Sequence, residues 1–186
     1  PKTMAQKNKT ISNPVNGQTI TFLQTAADTQ GQLLEMHAVY TAGSTEPPLH
    51  YHPTQAEDFV FETGEMHVKL NGQTRVCKAG ETLHIPAATP HAMWNAGPEP
   101  ASINWKVRPA LDMEQFFEQV TGMAADGKIG PSGKPPFLQT ALLANRFSNV
   151  FRMAKPVFPV QKVVFTLLSP IAYLAGYKSF YKKYSN

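Results

Sequence analysis

All six histidines of this 186-residue chain lie between His37 and His91. His50 and His52 are two residues apart, a spacing that puts both imidazoles on one face of an extended strand. Glu57 opens the next extended run, with Phe59 and Phe61 on its face, and His91 follows the tight turn Pro86-Ala87-Ala88-Thr89-Pro90. Three imidazoles and one carboxylate that converge make a donor set for a divalent first-row metal, with Fe(II), Mn(II), Ni(II), Co(II) and Zn(II) all compatible. Four protein ligands on an octahedral ion would leave two positions for water, oxygen or substrate. The competing reading of the His50/His52 pair by itself is two surface histidines in a loop.

The elements that must position these groups are short and extended. Residues 18–24, 32–41, 50–53, 57–62, 65–70, 73–78, 82–86, 91–95 and 101–107 read as strands, and Asn71-Gly72 between alternating runs signals a hairpin. Residues 10–16 read as an entry loop. No helical period interrupts 18–108, so the pattern predicts a sandwich or barrel rather than a βαβ sheet. The period changes after Pro109. Met113, Phe116, Phe117, Val120, Met123 and Ala124 share a helical face, and Gly127 stops that helix. A second helix is predicted over 137–154 and a third over 160–168. Ser169-Pro170 reads as the start of a fourth.

Charge divides the chain in the same place. Residues 1–126 hold 8 basic and 13 acidic side chains, net −5, whereas residues 127–186 hold 9 basic side chains and no acid, net +9. The single cysteine, Cys77, excludes an intramolecular disulfide and a thiolate metal cluster. No apolar run is long enough for an ordinary transmembrane helix: the nearest, 163–177, is interrupted by Pro170. The polar, Lys-rich start shows no apolar signal core, so a cytoplasmic location is expected. Because the chain begins at Pro1, a leader is left open.

Two segments resemble the paired motifs of the cupin superfamily. Gly43, His50-Tyr51-His52, Glu57 and Gly64 follow the spacing of the first motif; Gly80, Pro86-Ala87-Ala88, His91 and Asn95 follow the second. Fifteen residues separate Gly64 from Gly80, as in small bacterial cupins with a short inter-motif hairpin. Gly43 lies one residue further from His50 than is usual, and Ala88 stands where Gly is common. The resemblance implies a mainly β fold, a double-stranded β-helix (jelly-roll) barrel, with metal ligands His50, His52, Glu57 and His91. Glu57 would also serve as proton acceptor. The implied organisation is a cupin barrel over residues 10–110 and a helical extension over 111–186, packed on the barrel or on a partner subunit. The implied activity is that of a metal-dependent oxidoreductase, a quercetinase-like dioxygenase acting on a small aromatic or enolic substrate. A cupin isomerase and a non-enzymatic binding or sensing module share the same ligand set and stay open.

The remaining residues carry less. His37, His67 and His84 read as structural or surface histidines, with His67 facing solvent. Met36, Phe59, Phe61, Met93, Trp94 and Trp105 read as core, with lining of a substrate pocket as the alternative. The apolar, Lys- and Tyr-bearing tail is expected to pack on the barrel or on a second copy in a homodimer. Peripheral membrane contact is the less favoured reading. Dispersed basic residues without a reader motif argue against a nucleic-acid partner, which leaves a small molecule in the barrel.

Overall fold

The computed structural model describes residues 5–185. Ten strands come first: β1 (Thr10–Asn13), β2 (Gln18–Gln24), β3 (Leu34–Tyr40), β4 (His50–Tyr51), β5 (Ala56–Thr63), β6 (Glu65–Leu70), β7 (Gln73–Lys78), β8 (Thr82–Ile85), β9 (His91–Trp94) and β10 (Ala101–Arg108); β11 (Arg152–Met153) follows two helices. The helices are α1 (Met113–Ala125), α2 (Phe137–Arg146) and α3 (Phe158–Leu174), with a closing 3-10 turn at Lys182–Tyr184. The strands form two antiparallel sheets, one in the order β1-β2-β3-β10-β5-β8 and the other β11-β4-β9-β6-β7. This is a jelly roll. Alternation in the strands decides which face turns inward: β3 buries Leu34, Met36, Ala38 and Tyr40, and β10 buries Ala101, Ile103, Trp105 and Val107.

Turn chemistry sets the register. Asn71 (φ 51°) and Gly72 (φ 78°) both sit in the left-handed region between β6 and β7, as a two-residue type I′ hairpin requires, and Leu70 pairs with Gln73 across it. Gly64, at φ 67°, is needed for two reasons: a Cβ there would lie 2.5 Å from the carbonyl oxygen of Pro100 and 2.9 Å from Cα of Ala101.

Three segments differ from the sequence reading. Residues 10–13 form strand β1 rather than loop, because β2 offers an antiparallel partner from Thr10↔Thr21 to Asn13↔Gln18. The second helix ends at Arg146, not at 154: residues 152–153 pair with β4 instead, and Ala154 N–H donates to Leu49 O at 2.9 Å. The predicted third and fourth helices are one continuous α3 with Pro170 inside it. Pro170 has no N–H for the Thr166 carbonyl, and one residue earlier the Ser169 hydroxyl donates to Phe165 O at 2.7 Å.

The extension is tied to the jelly roll of its own chain. Trp105 meets Phe117 edge-on at 5.1 Å, and Phe116 packs on Phe147 and Phe151 at 5.6 and 5.0 Å. Glu114 accepts from Ala26 N–H at 2.9 Å, while Gln55 Nε2 donates to the carbonyls of Pro109 and Ala110.

Gly64→Ala is expected to cost about 2 kcal/mol or more of stability, from the left-handed backbone and the clash with Pro100. Gly72→Ala, where a Cβ meets open space, should cost about 1 kcal/mol. Urea titration of both variants checks the order. Ala88 occupies the left-handed region at φ 62° in the turn that leads to His91. Ala88→Gly relieves that strain, and thermal denaturation should show a gain of up to about 1 kcal/mol.

Candidate metal centre

His50 lies on β4, His52 just after it, and His91 at the start of β9; β4 and β9 are neighbours with His50 and His91 in register. One ligand nitrogen from each of the three residues falls within 4.8 Å of the others. Hydrogen bonds select which nitrogen that is. The Nδ1–H of His50 donates to Pro48 O at 2.9 Å, that of His91 to Thr89 O at 2.9 Å, and that of His52 to Val150 O at 2.5 Å. A carbonyl can only accept, so each imidazole carries its proton on Nδ1 and presents the Nε2 lone pair. This is the arrangement by which metal-binding histidines are held in one tautomer and one orientation.

Glu57, fully buried on β5, completes the group. Its Oε1 accepts from the Trp105 indole N–H at 3.0 Å and lies 3.3 Å from His52 Nε2; its Oε2 lies 2.9 Å from His91 Nε2. His52 Nε2, which faces Oε1, and Glu57 Oε2, which faces His91 Nε2, are both buried and have no hydrogen-bond partner. Two lone-pair acceptors pointed at one another in a dry interior are costly unless a proton or a cation lies between them. A cation held by the three histidines would satisfy both, with Glu57 beside it rather than within the 4.8 Å group.

Electrostatics point the same way. Burial, reinforced by His52 and His91, pushes the His50 imidazole down to about 3, which keeps it neutral and able to ligate. Burial also works against the charge of Glu57, but the adjacent His52 and His91 outweigh it and hold the carboxyl below the usual carboxylate range. Burial would lower His52 as well; the charge and hydrogen bond of Glu57 prevail and raise it. A proton and a metal therefore compete for the Nε2 of His52.

The centre opens into a cavity of about 820 Å³ whose lining includes His50, His52, His91, Phe59, Met93 and Trp105 from the jelly roll. Phe116, Phe117, Phe151 and Phe165 of the extension form much of the opposite wall. Phe151 stacks on the His50 ring with centroids 4.8 Å apart. Of the aromatic and sulfur residues singled out from the sequence, Phe59, Met93 and Trp105 line the cavity, and Met36 and Phe61 are core. Trp94 packs instead against His67, at 5.7 Å, on the far side of the sheet. That contact leaves His67 half-buried rather than solvent-facing. His37 pairs with Glu62 at 3.1 Å and His84 with Asp58 at 2.7 Å, both away from the centre. Two parts of the site were not legible in the sequence: the Val150 carbonyl that orients His52, and the Trp105 indole that holds Glu57.

A jelly roll with three inward imidazoles on the wall of an apolar cavity, backed by a buried carboxylate, is a fold whose centre can hold a metal ion. The Cupin domain family model matches residues 36–107 of this chain. The chain is 30% identical over 155 residues to "Probable oxidoreductase virH" of Hypocrea virens, covering 76% of this chain and 69% of that protein. It is 40% identical over 62 residues to "Oxidoreductase iacF" of Pestalotiopsis fici, covering 33% of this chain and 29% of that protein. Among solved structures, KdgF from a Halomonas species covers 59% of this chain and 97% of its own at 16% identity and a TM-score of 0.47. The Cupin_2 domain of an XRE family transcriptional regulator from Enterobacter cloacae covers 50% and 96% at 17% identity and a TM-score of 0.44. This chain belongs to the cupin superfamily.

Trp105→Phe keeps an aromatic ring in place but removes the donor to Glu57. It should weaken metal binding by about 10- to 100-fold, as loss of an outer hydrogen bond to a ligand does. His50→Ala and His52→Ala should abolish uptake. Titration calorimetry with Ni(II) or Mn(II) reads all three, and undiminished affinity in the histidine variants would show that the ligands lie elsewhere.

Proposed function

We propose that this protein is a metal-dependent oxidoreductase of the dioxygenase type, acting on a small aromatic or enolic molecule held inside the jelly roll. The observation that carries the reading is the convergence of three Nε2 lone pairs at the wall of a roughly 820 Å³ cavity, with the buried Glu57 carboxylate behind them. The oxidoreductase names of the two curated relatives support it. His50, His52, Glu57 and His91 would hold the metal. When bound, it supplies Lewis acidity and open coordination positions for substrate oxygens and dioxygen.

The chain's own residues do the rest. The Nδ1–H contacts to Pro48, Thr89 and Val150 fix three ligands before any metal arrives, so little ordering remains to be done on binding. Phe59, Trp105, Phe116, Phe117 and Phe151 offer flat apolar surfaces that fit an aromatic ring and keep bulk water from the centre. Glu57 is held as a carboxylate by His52 and His91 and is anchored through Oε1 by Trp105. By swinging off the metal, Glu57 would free Oε2 to take a proton from a bound substrate hydroxyl, while Trp105 keeps hold of Oε1.

Protein prepared without chelator should contain about one first-row transition metal per chain. A panel of enolic and aromatic hydroxy compounds should then produce oxygen uptake that chelation stops and metal restores, and Glu57→Gln should lower the rate by about 100-fold or more. Metal-loaded protein that binds such compounds without consuming oxygen would favour the binding-module reading. Isomerised product without oxygen uptake would favour the isomerase. Protein that takes up no metal under any condition removes both enzymatic readings.

A further inference from the structure

The outer face of α3 is apolar and uncovered. Val160, Val163, Val164, Leu167, Ile171 and Leu174 fall within an arc of roughly 100° on a helix that turns about 100° per residue. All six are exposed, with Val163 at 60%, Leu167 at 70% and Leu174 at 91%. The helix is anchored by other residues: Gln161, Phe165 and Ala172 are buried, Gln161 Nε2 donates to the carbonyls of Met153 and Pro156, and Asn145 Nδ2 donates to Ser169 Oγ. The stripe is therefore not the face that attaches α3 to the fold. A soluble surface scatters its apolar side chains, whereas a continuous stripe of this kind marks a contact.

Charge indicates the partner. Residues 127–186 carry nine cations and no anion. Within the fold Arg146 is paired with Asp112 and Lys183 with Asp126. Lys155, just before α3, and Lys178 and Lys182, just after it, are exposed. A second copy docking by this face would use the same patch on both subunits and bring two acid-free, cationic segments together, which is repulsive. An anionic bilayer offers the complementary surface: headgroups for the lysines and an acyl boundary for the stripe. The geometry matches a helix lying in the interface plane. α3 has 17 residues, and among the described residues no helix is long and apolar enough to cross a membrane.

We propose that the outer face of α3, together with the exposed lysines of its acid-free segment, docks this protein on the surface of an anionic lipid bilayer.

The test is co-sedimentation of the full chain with phosphatidylcholine vesicles, with and without phosphatidylserine, at low and high salt. The chain should pellet with phosphatidylserine vesicles, and added salt should reduce the bound fraction. Leu167→Glu/Ile171→Glu lies on the exposed face, away from the cavity lining, and should lower partition by about tenfold or more with unchanged circular dichroism. Lys178→Gln and Lys182→Gln should each lower it by about fivefold. Failure to pellet with phosphatidylserine vesicles would overturn the proposal, as would equal partition of the Glu double variant. A dimer in solution that the double variant converts to monomer would also overturn it, because a second copy would then be what covers α3.

Discussion

Each imidazole of the centre gives its Nδ1–H to a backbone carbonyl, and much of the chain is arranged to supply those carbonyls. Two are local: Pro48 and Thr89 each lie two residues before the histidine they orient, in turns where proline restricts the backbone. The third comes from 98 residues away, at Val150. The extension is thus part of the site. Without it, His52 would lose the acceptor that fixes its tautomer, and His50 would lose the ring that stacks on it.

This dependence explains the short strand β11. Strand β4 carries His50 and would otherwise be the free edge of its sheet. Pairing of Arg152 with Tyr51 and of Met153 with His50 covers that edge and sets Val150 and Phe151 above the histidines. Phe116 then stacks on Phe151 and meets Phe147, so α1 and the 147–153 segment form one aromatic wall of the cavity, joined to Trp105 through Phe117. The same residues shape the cavity, orient a ligand and attach the extension.

The charge asymmetry of the chain is only partly spent inside the fold. Arg146–Asp112 and Lys183–Asp126 join the basic segment to acids at either end of α1, and Tyr184 reinforces the second pair through Asp126 at 2.7 Å. These pairs are partly or well exposed and contribute little to stability singly. The stronger attachment is apolar, through Met113, Met123, Leu143, Phe147 and Val150, all buried in the common core.

The sequence by itself determined most strands of the jelly roll, the hairpin and the identity of the four converging residues. Period-two alternation and Gly or Asn-Gly turns are local physics: β2, β6 and β7 have the bounds read from the pattern, and Asn71-Gly72 has the left-handed backbone its residue types favour. His50, His52, Glu57 and His91 were legible because their spacing is measured along the chain. Tertiary structure decided what depends on partners distant in sequence. Phe147, Val150, Phe151 and Ala154 have helical spacing, yet the unpaired backbone of β4 draws residues 152–154 into a ladder, since a vacant sheet edge satisfies polar groups that a frayed helix end leaves to water. Ser169-Pro170 has the local chemistry of a helix start, yet the packing of Phe165 and Ala172 carries α3 straight through it. The bond from Trp105 to Glu57 and that from His52 to Val150 join residues 48 and 98 apart, and no local rule of spacing reaches that far.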